Sequence, residues 1–167
     1  MKEFIPKRTG TLSKQVTMGL FIISLAAMFA SGLPNLPYRS VMQTLSLIVL
    51  AAAIALLGRY EFKTYVYAIS KREDGALDLT VTELKRRSRI TVCRVGIDKI
   101  TDACVMTKKD KPKFKEMKKK RKYYNYCVDL APAKSLCFIA NEGGEEVLII
   151  LSYIPELSEL IGAEERN

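Results

Sequence analysis

Residues 15–38 read QVTMGLFIISLAAMFASGLPNLPY and residues 40–58 read SVMQTLSLIVLAAAIALLG, with Arg39 the only Asp, Glu, Lys or Arg between 15 and 58. A bilayer core of about 30 Å is crossed by roughly 20 apolar residues in a helix, and a charge-free window of this length is the pattern of a membrane span. Two such windows in succession predict a two-helix transmembrane hairpin over residues 15–58, with spans at about 16–33 and 40–58. Pro34 and Pro37 suit the turn, because proline lacks the donor that a continuing helix needs and pushes its predecessor out of the helical region.

The flanks give the hairpin a direction. Lys2, Lys7, Arg8 and Lys14 precede it, Arg59 and Lys63 follow it, and the turn carries Arg39 alone. By the positive-inside rule both termini are expected in the cytoplasm and residues 33–39 outside, as in a multi-pass protein of the cell membrane. Residues 1–14 then read as a cytoplasmic tail. Small residues four apart, Ala26 with Ala30 and Ala51 with Ala55, offer a way for the two helices to approach closely. The rival reading of the first span is a signal peptide cut near Ala30-Ser31-Gly32, but its apolar run is long for that role.

Residues 59–167 have a different composition and form one domain by length. The chain has no His, which removes the commonest general base and metal ligand. Cys93, Cys104, Cys127 and Cys137 show no short ligand spacing, so no metal site is expected and the thiols read as reduced, small apolar side chains in strands. Catalysis is not expected either. Gly143-Gly144 lacks the Lys-Ser/Thr of a nucleotide loop, and Glu142, Glu145 and Glu146 read as a solvated turn. No cofactor is implied.

From Tyr60 the apolar period becomes two, the mark of half-buried strands. Strands are expected through Phe62–Ile69, 76–84, 88–95, up to Thr107, 123–130, 135–140 and 146–151, with glycines taking positive φ in the turn at Gly143-Gly144. The turns fall at 71–75 and at Lys85-Arg86-Arg87, and a final helix after Pro155 carries Leu157, Leu160 and Ile161 as one stripe. Seven short strands and one helix predict a small all-β barrel or sandwich.

This order, with the local patterns Tyr65-Val66-Tyr67-Ala68-Ile69, Arg94-Val95-Gly96-Ile97-Asp98-Lys99-Ile100 and Ile154-Pro155-Glu156-Leu157, resembles the bacterial pleckstrin-homology-like (PH-like) membrane proteins. In that family a helical hairpin precedes a cytoplasmic PH-like domain. The resemblance implies a membrane hairpin plus an all-β PH-like barrel, and a non-enzymatic scaffold whose loops contact lipid, peptide or protein. The basic turn that holds phosphoinositides in eukaryotic PH domains is not carried over, because Lys71 and Arg72 are followed at once by Glu73 and Asp74.

One segment invites a site. Residues 108–122 hold ten Lys and Arg against Asp110 and Glu116, a net +8. Cations this dense repel one another, so the segment reads as a hydrated, mobile loop that either serves only to solvate or is neutralised by an anionic surface. The candidate contact residues are Lys113, Phe114, Lys115, Lys118, Lys119, Lys120, Arg121 and Lys122, with Phe114 and Met117 dipping toward the acyl boundary. The partners expected are the bilayer with anionic headgroups, or an acidic protein. Nucleic acid is not expected, and Tyr123, Tyr124 and Tyr126 read as strand residues with their hydroxyls in water. The function expected is a membrane-anchored interaction module. Its alternative is an accessory subunit whose hairpin packs with other transmembrane helices, and an oligomer is compatible with either.

Overall fold

A computed structural model of the 167-residue chain describes residues 2–33, 38–85, 88–119 and 121–165. The chain divides into two compact units, Gly10–Lys63 and Met1–Thr9 with Thr64–Asn167.

The first unit is the hairpin of α1 (Leu12–Ala30) and α2 (Arg39–Tyr60). Both helices are long and apolar enough to cross a membrane. α1 ends at Ala30 rather than 33, but it starts before the expected 16 and α2 extends slightly beyond the expected 40–58 at both ends, because a helix continues into polar flanks as long as its backbone bonds propagate. Tyr38, at φ 64°, opens α2, while Pro34 and Pro37 lie outside the described residues. The buried and half-buried positions run through Ser13, Thr17, Leu20, Ser24, Ala27 and Ser31 on one side and Met42, Ser46, Val49, Ala53, Leu56 and Tyr60 on the other. Both series alternate steps of four and three, the spacing that keeps one seam facing an antiparallel partner. Ser24 Oγ donates to the Ser46 carbonyl at 2.9 Å, and Ser13 Oγ lies 3.2 Å from Glu61 Oε1 at the open end. The seam is therefore built on hydroxyls and Ala53. The four-spaced alanines do not form it: only Ala30 is half-buried, and Ala26, Ala51 and Ala55 are exposed because the heptad phase turns them outward. Ile22, Ile23, Met28, Phe29, Leu47 and Ile48 also face outward.

The second unit is all-β with short helices. Its strands are β1 (Lys2–Phe4), β2 (Thr64–Lys71), β3 (Leu77–Lys85), β4 (Ser88–Gly96), β5 (Ile100–Thr107), β6 (Lys122–Asn125), β7 (Lys134–Glu142), β8 (Glu145–Ser152) and β9 (Glu164–Glu165). One sheet runs β1-β2-β3-β4 and the other β6-β8-β7-β5-β9. The expected N-terminal tail instead supplies β1, with Lys2 opposite Ile69 and Phe4 buried in the core. Thr9 then donates through its backbone N–H and hydroxyl to the buried Asp129 carboxylate, at 3.1 and 3.0 Å. A hydrophobic side chain at position 4 and a hydrogen-bonding one at position 9 are what fasten this arm.

The main core lies between the sheets, with Tyr65, Tyr67 and Leu79 on one side and Phe138, Ile149 and Leu151 on the other. Helix α4 (Pro155–Ile161) adds Leu157 and Ile161, with Pro155 in its first turn and Gly162 at φ 71° ending it. Leu160, expected on the same stripe, is exposed. Gly143 and Gly144 take φ 62° and 88° in the β7–β8 turn, as the sequence indicates. The expected strand 123–130 stops at Asn125 and runs parallel to β8, and Cys127, Val128 and Asp129 are buried beyond it. Arg86 and Arg87 of the expected β3–β4 turn lie outside the described residues.

A smaller core covers the outer face of the second sheet, formed by alternate residues such as Cys104, Met106, Cys137, Ile139 and Leu148. β7 and β8 are thus buried on both faces, which is why Leu136–Ala140 and Val147–Leu151 read as unbroken apolar runs. A two-faced strand needs a cover on each side, and the outer cover comes from the basic segment.

Candidate interaction surface

The basic segment is a helix. After β5 the chain makes a single 3-10 turn at Lys108–Asp110 and then α3 (Lys111–Lys119). Its start is fixed locally: Asp110 Oδ2 accepts from the Thr107 backbone N–H at 2.9 Å and from the Thr107 hydroxyl at 2.8 Å. This is the reach-back half of a capping box, a Thr followed three residues later by an acid. Those two bonds, with Lys113 and Lys109 nearby, hold the Asp110 carboxyl below the usual carboxylate range. Pro112 is tolerated because it sits in the first turn, where its missing N–H would have no intrahelical partner. Lys118 and Lys119 close the helix where the macrodipole favours cations.

The docked face of α3 consists of Phe114 and Met117, which pack on the small core. Phe114 is therefore a structural anchor, and neither it nor Met117 projects from the domain toward a bilayer as expected. Half-buried Lys118 follows them: its Nζ lies 4.5 Å from the centre of the Phe114 ring and 4.1 Å from that of Tyr123. Beyond the helix, Arg121 Nε meets Glu146 Oε2 at 2.6 Å and Lys122 Nζ meets Glu145 Oε2 at 2.7 Å. The Lys122 pair raises the lysine pKa and lowers that of Glu145. Arg121 and Lys122 are thus neutralised by the β7–β8 turn, which the sequence places far away. Lys120 lies outside the described residues.

Of the eight expected contact residues, Lys113, Lys115 and Lys119 remain as exposed cations with no ion pair among the described residues. Lys115 and Lys119 are one helical turn apart, and Lys113 lies on the other flank, with Glu116 between them. Lys109, exposed just before the helix, extends the same group. The arrangement is an amphipathic plate, apolar beneath and cationic outside. Thr107 and Asp110 went unread in the sequence although the T-x-x-D pattern is there.

Two clefts lie elsewhere on the β unit. One of about 220 Å³ is lined by Arg72, Asp78, Arg94, Gly96, Lys99 and Glu142. Buried Asp78 binds Arg72 Nη2 and, at 2.8 Å, Arg94 Nε. These bonds hold its carboxyl well below the usual range, and Arg72 also faces Asp74 at 3.4 Å. The acids at 74 and 78 balance the basic turn, in line with the cancellation read at Glu73 and Asp74. The other cleft, of about 370 Å³, lies along β4 and includes Tyr124 and Tyr126. The Tyr126 hydroxyl donates to the Val92 carbonyl at 3.2 Å rather than to water, and burial pushes its pKa up to about 12. Among the described residues no three Cys, Asp or Glu side chains group to hold a metal ion.

No protein-family model, no curated protein and no solved structure matches this chain.

Proposed function

We propose that this chain is a membrane-anchored, non-enzymatic interaction module whose hairpin sits in a bilayer and whose α3 presents its cationic face to anionic lipid headgroups. The observation that carries the reading is the sorting of α3: Phe114 and Met117 are used internally, while Lys113, Lys115 and Lys119 face out with no ion pair among the described residues. A solvating loop has no need of that order. The outward apolar surface of α1 and α2 supports insertion, since core helices of a soluble protein bury such a face. The basic flanks Lys7, Arg8, Lys14, Arg59 and Lys63 favour the cytoplasmic side for both hairpin ends. The meander β2-β3-β4 packed on β5, β7 and β8 with one closing helix supports a PH-like reading of the β unit.

An anionic leaflet attracts a nearby basic residue by about 1 kcal/mol, so three exposed lysines supply about 3 kcal/mol, or about 150-fold, toward holding α3 on the surface. The test is amide exchange of α3 in the full-length protein in nanodiscs of phosphatidylserine-containing or purely zwitterionic lipid. Slower exchange on the anionic discs, abolished by high salt and by the triple change Lys113→Gln, Lys115→Gln, Lys119→Gln, supports the proposal. Equal exchange on both discs rejects it, and protection that appears only on adding an acidic polypeptide transfers the surface to a protein partner.

A further inference from the structure

None of the four cysteines is in a disulfide, and two of them stand opposite each other. Cys104 on β5 stands directly opposite Cys137 on β7 in the antiparallel ladder. Directly opposed residues project from the same face, and both thiols belong to the small core beneath α3. Opposed Cα atoms in such a ladder are about 4.5 or about 5.5 Å apart, according to the pair type. Both distances fall inside the window of about 4.4–6.8 Å that a disulfide requires. The Cα spacing therefore already suits a bond, and the Cβ atoms, about 4.5–5.5 Å apart in such a pair, need approach by only about 1 Å. Cys127 shares the core but lies off the strands, and Cys93 packs with the main core from β4.

We propose that Cys104 and Cys137 are an oxidisable dithiol that closes a cross-strand disulfide, with α3 controlling access to it. Both thiols are at most 1 % exposed. Burial pushes the Cys137 thiol up to about 12, so little thiolate exists while the cover is closed. Phe114 and Met117 pack against the small core that holds both thiols and supply its cover from α3. Helix α3 is the element best placed to lift: it is nine residues long, docks through two apolar side chains and carries five mutually repelling lysines. A helix this short is marginal on its own and opens at lower cost than the sheets.

With a peroxide as oxidant the chemistry balances. One thiolate attacks a peroxide oxygen, breaking the O–O bond and leaving a sulfenic acid and one water. The second thiolate then attacks the sulfenic sulfur, forming the S–S bond and releasing the second water. Two thiols and one hydrogen peroxide give one disulfide and two waters, the sulfurs being oxidised and the peroxide reduced. In a reducing compartment such a bond is transient and acts as a sensor. The inference does not depend on α3 binding lipid.

The test treats the full chain in detergent micelles with hydrogen peroxide, blocks remaining thiols with N-ethylmaleimide, and maps unreduced peptides by mass. The first disulfide formed should join Cys104 to Cys137 and be reversed by dithiothreitol. Its rate should rise about tenfold in Phe114→Ala, which loses the burial of one aromatic cover, and also rise in the milder Met117→Ala. Glu159→Gln, an exposed change on α4, should leave it unchanged. A first disulfide involving Cys93 or Cys127, sulfinic acid without a crosslink, or equal rates in wild type and both cover variants overturns the proposal. Amide exchange in β7 and β8 separates loosening of α3 from unfolding of the sheet.

Discussion

Replacing Tyr67 by Phe removes one oxygen and no ring area, which makes it a clean probe of how the β unit is held shut. The Tyr67 hydroxyl donates to the Tyr126 carbonyl at 2.9 Å and accepts from the Ser152 backbone N–H at 3.1 Å. It therefore ties β2 of one sheet to the end of β8 in the other and to the segment after β6. The residue is fully buried, so no water is at hand to replace the hydroxyl. Stranding the buried Ser152 N–H costs about 1–3 kcal/mol, and the Tyr126 carbonyl adds about 1 kcal/mol. The expected loss is about 2–4 kcal/mol. Amide exchange of the slowest β8 residues in the full-length protein in detergent measures it directly, since those amides open only with the unit. Exchange should quicken by about 30-fold to about 900-fold in Tyr67→Phe. A change below about threefold would refute the claim that this hydroxyl holds the two sheets together.

Leu157→Ala, which empties a fully buried site under α4, should cost about 2–5 kcal/mol by the same exchange measurement. Acid should loosen α3 before the sheets. Asp110 has a depressed pKa in the folded chain, so its contribution is complete above about pH 4 and is lost as pH falls through the folded value; exchange of α3 amides between pH 5 and pH 2 checks this, with Asp110→Asn removing the dependence. Alkali should destabilise the β unit. Cys93, Cys137 and Tyr126 keep their protons to about 11, 12 and 12 when folded, so between about pH 9 and those values the unfolded chain releases protons that the native one retains. Each such group lowers stability by about 1.4 kcal/mol per pH unit, and a pH-independent unfolding midpoint across that range would contradict it.

The hairpin and most strands were legible because their signals are local. Charge-free windows mark α1 and α2, alternation marks β2 and β3, and Gly143-Gly144 marks the β7–β8 turn. What escaped depends on partners distant in sequence. Residues 2–4 alternate too briefly to announce a strand, and only Ile69, Ala68 and Tyr67 opposite them make one. The pairing of Arg121 and Lys122 with Glu146 and Glu145 is set by β6 lying beside β8, which no spacing rule foretells. The basic segment was misread for a different reason. Its charge density outweighed two weaker signs, the T-x-x-D cap and the pair Phe114 and Met117 three apart. The unbroken apolar runs of β7 and β8 held the missing clue, because a strand with no polar face requires something to lie over it.

The placement of β1 sets an order of events during synthesis. Lys2 emerges before its partner Ile69, which follows only after the entire hairpin, about 3–13 s later at about 5–20 residues per second. Until then Phe4 has no core to enter. Pairing of α1 with α2 shortens the effective tether between the two strands, because the Ser13 and Glu61 ends of the hairpin meet. β1 reaches β2 across the whole of residues 10–63, so this sheet closes only after the entire hairpin has been made.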